Sequence, residues 1–110
     1  MLTDAMKREL VARIKAAERV DKILLFGSEA IGAAGPDSDI DLLMVLDRET
    51  MPATFQERSA NYLQISRAIR DIEKKYPIDL LVCTRPEFEQ IKASGSLFVR
   101  RVLREGVELS

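Results

Sequence analysis

The chain has 110 residues, of which 46% are hydrophobic and 32% are charged, and its formal net charge is −1. This length predicts one domain over residues 1–110 with a hydrophobic core, and the near-neutral charge does not favour nucleic acid as a direct substrate. With no His and one Cys, Cys83, the chain alone cannot form a Ser-His-Asp triad, a Cys-His pair, a HExxH zinc site or an internal disulfide.

The first half of the chain predicts one helix and two strands. Thr3 is a candidate N-cap, and apolar residues recur at helical spacing over residues 4–19. Residues 22–26 form an apolar run that stops at Gly27, which predicts the first strand. Residues 39–47 predict the second strand, and because it is apolar on both faces beyond its acids, we expect it to be central and covered on both sides.

The second half predicts three helices and one or two strands. We expect a long helix from residues 50–52 to a stop at Pro77, a strand at 78–83, a helix from Pro86 interrupted at 94–96, a last helix at 97–104, and a short edge strand at 107–109. The predicted buried stripe of the long helix comprises Phe55, Tyr62, Ile65, Ile69, Ile72 and Tyr76.

Three further expectations concern residues that could be mistaken for a site. Tyr62 and Tyr76 fall on the helical stripe, so we expect core packing rather than catalysis. Cys83 is expected to be a small core residue rather than a nucleophile. The basic group Arg100, Arg101 and Arg104 is expected to be a solvated helix face, with contact to a partner or RNA as the less favoured interpretation.

The order of the elements predicts an α/β (α+β) fold, with a mixed sheet of three to four strands flanked by helices. If the second strand runs antiparallel to the first, the end of the first strand lies beside the start of the second. The long helical crossover makes the third strand most naturally parallel to the second. One sheet edge then carries the Gly27-Ser28 turn together with Asp39, Asp41 and Asp79.

Three carboxylates at one sheet edge predict a metal site. In a strand, residues i and i+2 face the same side at ~6.7 Å, so Asp39 and Asp41 project in parallel. Like charges this close raise the pKa of at least one carboxyl group unless a cation lies between them. All-oxygen ligation favours Mg²⁺ or Mn²⁺, and Mg²⁺ pairs with phosphates, so we expect a nucleoside triphosphate and two metal ions.

These residues carry a resemblance to a known family. Gly27-Ser28, ten residues, Asp39-x-Asp41 and then Asp79 on a later strand resemble the nucleotidyltransferase signature of the DNA polymerase β superfamily. The size is similar to that of its MNT-type members, which act as antitoxins beside HEPN ribonuclease toxins.

The resemblance implies a polymerase β-like core, two Mg²⁺ ions, ATP as the donor, and transfer of AMP to a tyrosine hydroxyl of a HEPN toxin. Asp39 and Asp41 would hold the metals, and Asp79 would be a metal ligand and the base that receives the acceptor proton. Gly27 and Ser28 would hold the triphosphate, because Gly allows close backbone approach and Ser offers hydroxyl and amide donors.

The sequence departs from that pattern in the loop after Gly27-Ser28. Many relatives carry Arg there, whereas this chain has Glu29 and Ile31. Lys22, Arg48, Arg85 or a residue of a partner would have to supply the missing cation.

Two other functions stay open at this point: a non-catalytic antitoxin that acts by occluding its partner, and a nucleotidyltransferase for a small molecule. The N-terminus is unlike a signal peptide and no apolar run approaches the ~20 residues of a membrane span, so we expect a cytoplasmic protein. Self-association is left open.

Overall fold

The computed structural model describes residues 2–27, 32 and 39–109. Within these residues it contains a four-stranded mixed sheet and five helices. In chain order the elements are α1 (Asp4–Ala17), β1 (Val20–Phe26), β2 (Ile40–Leu46), α2 (Phe55–Ala68), α3 (Arg70–Lys75), β3 (Ile78–Thr84), α4 (Arg85–Ala93), α5 (Leu97–Glu105) and β4 (Val107–Glu108). The predicted α+β class is confirmed.

The strand order of the sheet is β3-β2-β1-β4. β1 runs antiparallel to β2, β3 runs parallel to β2, and β4 pairs antiparallel with β1 as a short edge strand. The first two pairings and the presence of a short edge strand agree with the sequence predictions, whereas the pairing of that strand with β1 comes from the structure alone. β2 is central, and every residue of it except Asp41 is buried, because helices cover both faces of the sheet.

The two faces of the sheet pack against different helices, and strand alternation decides which side chains go where. Ile23, Leu42 and Leu80 belong to a cluster with Ile14 of α1 and Ile65 of α2. The alternate positions belong to a second cluster, in which Leu43, Val45 and Cys83 pack with Phe88 of α4 and Val102 of α5. Since Asp41 and Asp79 share the parity of this second set, they project toward the α5 side of the sheet.

The predicted helix over residues 50–76 is wrong at its start and in its middle. The helix begins at Phe55, because Thr54 caps it: the Thr54 Oγ1 accepts a hydrogen bond from the Glu57 amide at 3.2 Å. It breaks at Ile69, whose backbone (φ −117°, ψ 19°) is not helical, and α3 follows. Ile65, Ile69 and Ile72 remain buried across the break, so hydrophobic spacing gives no sign of it.

The prediction that Tyr62 and Tyr76 pack in the core is also wrong. Tyr62 is 39% exposed and Tyr76 is 36% exposed, and Phe55 of the same predicted stripe is 80% exposed. The buried polar residue on this side is Asn61, whose Oδ1 accepts a hydrogen bond from Arg48 at 2.7 Å. The buried face of α2 therefore passes through Asn61 and Ile65, and Tyr62 is not part of it.

Cys83 is buried, as predicted, and burial raises the pKa of its thiol to about 12, with a smaller contribution from Glu87. Such a thiol is almost entirely protonated at neutral pH and is a poor nucleophile. None of the helices formed by the described residues is both long and apolar enough to span a bilayer.

Candidate active site

Two carboxylates meet at the edge of the sheet where β2 and β3 begin. Asp41 lies opposite Asp79 in the parallel register, and Phe26, the last residue of β1, lies opposite Asp41 on the other side. Asp39 is exposed and precedes β2 directly. The structure thus brings Asp39, Asp41 and Asp79 to one edge, as the topology predicts.

The charges at this edge repel one another. The pKa of Asp41 is raised above its usual value of 3.8, first by burial and then by the negative charges of Asp79 and Asp39. Among the described residues, no salt bridge involves Asp41 or Asp79. A half-buried carboxylate beside like charges is costly in the folded chain, which is the arrangement that a bound cation relieves.

Gly27 lies against Asp41 and has a backbone conformation that favours glycine (φ +72°). A Cβ at this position would overlap the Asp41 Oδ2 atom and lie 3.3 Å from its Cγ. Any other residue would therefore displace the Asp41 carboxylate as well as strain the backbone. The predicted neighbour Ser28, together with Glu29 and Ile31, lies outside the described residues.

A cavity of about 460 Å³ opens beside these residues. Its polar part is formed by Gly27, Asp41, Asp79, Arg101 and Glu105, and its apolar part by Phe26, Leu81, Leu97, Phe98 and Val102. Ligand pockets typically measure ~300–1,000 Å³ and combine apolar walls with a few polar groups. A nucleotide fits this division, since the aromatic faces of its base stack on apolar side chains and its phosphate chain is charged.

The donor set of the site fits a hard divalent cation, because Asp39, Asp41 and Asp79 offer only oxygen. Over residues 2–27, 32 and 39–109, no three Asp, Glu or Cys side chains form a closed metal-binding group. A closed group is not required for Mg²⁺, which commonly binds one or two carboxylates, substrate phosphates and water. Asp41 and Asp79 match that pattern, and Asp39 directly precedes the strand that carries Asp41.

The cations expected to replace the missing loop Arg lie elsewhere. Arg48 and Arg85 follow β2 and β3, so they lie at the opposite end of the sheet from Asp41 and Asp79. Each is held there by hydrogen-bonded acids, Arg48 by Glu18 at 2.6 Å and Arg85 by Glu49 at 2.6 Å. Lys22, near the start of β1, is also at that end. The suggestion that one of these three reaches the site is wrong.

Sequence reasoning missed Arg101 as a residue of this site. The sequence pattern places Arg101 with Arg100 and Arg104 on a solvated helix face, yet Arg101 lines the cavity together with the two aspartates. The available signal was the strong amphipathic pattern of α5, in which buried Val99 and Val102 fix the side that faces the sheet. The pattern shows which side of α5 is buried, but it does not show that this helix packs on the sheet face that carries the aspartates.

Comparison with protein families gives a match over residues 7–109 to the nucleotidyltransferase domain. The chain belongs to the nucleotidyltransferase domain family. The family match, together with the fold, supports a minimal nucleotidyltransferase of the DNA polymerase β-like superfamily, as the resemblance implied. No curated protein sequence matches this nucleotidyltransferase domain.

Two solved structures share the fold of this nucleotidyltransferase domain. One is a toxin–antitoxin structure with AMP-PNP, at 16% identity and a TM-score of 0.63, which aligns over 94% of this chain and 72% of the other. The second is a candidate nucleotidyltransferase from Sulfolobus solfataricus, at 25% identity and a TM-score of 0.62, with coverage of 98% and 78%.

Proposed function

We propose that this nucleotidyltransferase domain is the antitoxin of a toxin–antitoxin pair and transfers AMP from ATP to a tyrosine hydroxyl of a HEPN-type toxin. The observation that carries the proposal is the pair Asp41 and Asp79, opposite one another in the strand register, without a salt-bridge partner among the described residues, at the mouth of a cavity of about 460 Å³. The family match supports nucleotidyl transfer in general. The toxin–antitoxin neighbour with AMP-PNP supports a toxin as the partner and an adenine nucleotide as the donor.

Each residue of the site has its own proposed role in the reaction. Asp41 and Asp79, with Asp39, would hold the metal, and Gly27 leaves the space in which the Asp41 carboxylate lies. Bound Mg²⁺ would neutralise charge on the phosphates and on the leaving group. Because phosphoryl-type transfer depends mainly on positioning and charge neutralisation, a site without His is chemically adequate.

In the proposed step, the acceptor hydroxyl oxygen attacks the α-phosphorus of ATP and forms the new P–O bond. The bond between that phosphorus and the α–β bridging oxygen breaks, and its electron pair leaves with pyrophosphate. Asp79 would receive the hydroxyl proton, since it is exposed at the cavity and can be reached by an acceptor from outside. The products are a phosphodiester on the acceptor and pyrophosphate.

The test is label transfer to a co-expressed candidate partner, the product of the neighbouring reading frame, using ATP labelled on the α- or the γ-phosphate. We expect label from α-labelled ATP only, and a loss of at least ~10²–10³-fold in Asp41→Asn with Asp79→Asn, because charge neutralisation at the reacting phosphate is removed. Asp47→Asn, at the other end of β2, is the matched control and should label normally.

The outcomes separate this proposal from its alternatives. Label from γ-labelled ATP would mean phosphoryl rather than nucleotidyl transfer. A stable complex with the partner but no label from either ATP would support an antitoxin that acts by occlusion. Label on a small molecule in a cell extract, with none on protein, would indicate the third candidate function.

A further inference from the structure

The cavity beside Asp41 and Asp79 needs a cation for the outer phosphates of ATP, and Arg101 is the only Lys or Arg among the described residues that line it. Triphosphate carries more negative charge than a metal between two carboxylates can offset alone. Arg is suited to this task because its planar guanidinium makes paired hydrogen bonds to phosphate oxygens.

The backbone of Arg101 is fixed by packing on both sides of it. Val99 and Val102 of α5 are buried, and Val102 packs against Leu43 and Val45 in the cluster on the α5 side of the sheet. Phe98 meets Phe26 edge to face, with ring centroids 5.7 Å apart and an interplanar angle of 84°. Since Phe26 is the register partner of Asp41, the same contacts that hold α5 also set its distance from the acids.

The guanidinium of Arg101 is weakly engaged. Its salt-bridge partner is Glu105, one turn later, at 3.8 Å, and the Arg101 side chain is 66% exposed. Arg48 and Arg85 differ in this respect, since each makes ion pairs of 2.6 Å at the far end of the sheet. Arg101 can therefore turn toward an anion in the cavity without breaking a close hydrogen bond.

We propose that Arg101 binds the β- and γ-phosphates of the nucleoside triphosphate and so replaces the Arg that is missing from the loop after Gly27. This inference rests on the proposed function. Transfer of AMP requires the α-phosphorus to lie beside Asp41 and Asp79, which leaves the outer phosphates to the cation of the same cavity. The positive charge of Arg101 also stabilises the negative charge that develops on pyrophosphate as the P–O bond breaks.

The test compares the binding of ATP and AMP, measured by calorimetry in the presence of Mg²⁺. Arg101→Ala should weaken ATP binding ~10–100-fold, the range for hydrogen bonds to charged groups, and change AMP binding less than ~3-fold. Arg101→Lys should recover part of the ATP affinity, because it restores the charge but not the paired geometry.

Arg104→Ala is the matched control. Arg104 is on the same helix, is 73% exposed and also lies near Glu105, at 3.7 Å, but it does not line the cavity. It should leave both affinities unchanged. Thermal denaturation should show that all three variants fold, since the replaced side chains are largely exposed.

The results distinguish this inference from the proposed function. Equal loss of ATP and AMP affinity in Arg101→Ala, or no loss of either, would overturn the assignment of Arg101 while a labelling wild-type enzyme keeps the proposed function. A wild-type domain that binds neither nucleotide would overturn both.

Discussion

Acidic residues lie at both ends of this sheet, but their surroundings differ. At the end where β2 and β3 begin, Asp41 and Asp79 repel one another, and the described residues provide neither with a salt bridge. At the end where these strands stop, Asp47 and Glu49 each bind Arg85, at 2.7 and 2.6 Å. Acids that are neutralised within the fold are typical of a structural role, whereas acids that repel one another are typical of a functional site.

The end where β2 and β3 stop also contains a hydrogen-bonded polar cluster that connects α1, α2 and the segment after β2. Arg48, after β2, donates hydrogen bonds to Glu18 after α1 and to Asn61 of α2, at 2.6 and 2.7 Å. Gln64 donates to the same Glu18 carboxylate at 2.7 Å. This group stabilises the position of α2 and explains why Asn61, and not Tyr62, faces inward.

Gly27→Ala is expected to have the largest effect on activity, and it tests the role of the end of the sheet where Asp41 lies. The new Cβ would overlap the Asp41 carboxylate, so we expect nucleotidyl transfer to fall at least ~10²-fold, as for loss of a charge-stabilising group. The strained backbone should also lower the free energy of unfolding by ~1–2 kcal/mol. Label transfer and urea denaturation measure the two effects.

Gly95→Ala provides the control for that experiment. Gly95 also has a positive φ (+63°), but the nearest atom to a Cβ there is the Arg100 guanidinium, at 3.8 Å. It should lose similar stability and keep its activity. If both variants lost activity equally, backbone strain alone would be responsible, and the contact between Gly27 and Asp41 would not matter.

The next effect is the response of stability to Mg²⁺. A cation that binds the folded chain stabilises it, by ~2.7 kcal/mol at a concentration one hundred times its Kd. We expect Mg²⁺ to raise the melting temperature of the wild type and of Asp47→Asn, but not of Asp41→Asn with Asp79→Asn. An equal rise in all three proteins would show that the ion does not bind at the repelling acids.

The smallest expected effect is on the free energy of unfolding. It concerns Glu18, at the end of the sheet where the acids are neutralised by Arg48 and Arg85, and it depends on pH. Burial alone would raise the pKa of Glu18, but hydrogen bonds from Arg48, the Arg19 amide and Gln64, with the charge of Arg48, lower it below the usual 4.5. Its ionised form thus stabilises the fold above pH 4.5, and this contribution is lost as the pH falls through the lowered pKa of the folded state.

Glu18→Gln should therefore lower the free energy of unfolding by ~1 kcal/mol at pH 7, and by progressively less as the pH falls below 4.5. Urea denaturation at several pH values measures this, with the exposed Glu49→Gln as the control. Activity should not change. A cost of Glu18→Gln that is the same at pH 7 and pH 3 would mean that the ionised carboxylate is not what stabilises this end.

The sequence by itself determined the strands, the directions of β1, β2 and β3, and the placement of Asp39, Asp41 and Asp79 at one edge of the sheet. These follow from local signals: apolar runs, a Gly at the end of β1, and a crossover long enough for a parallel pair. Cys83 was also predicted correctly, because small apolar residues within a buried strand rarely have another role.

Only the tertiary structure decided which cation lies beside the acids and which face of α2 is buried. Arg48, Arg85 and Arg101 look alike in the sequence, and what separates them is the position of each element after packing. The sequence likewise gives no sign of the break between α2 and α3 at Ile69, because the buried Ile65, Ile69 and Ile72 keep a helical spacing across it. Hydrophobic periodicity records which residues are buried, whereas contacts between distant elements determine which polar groups meet.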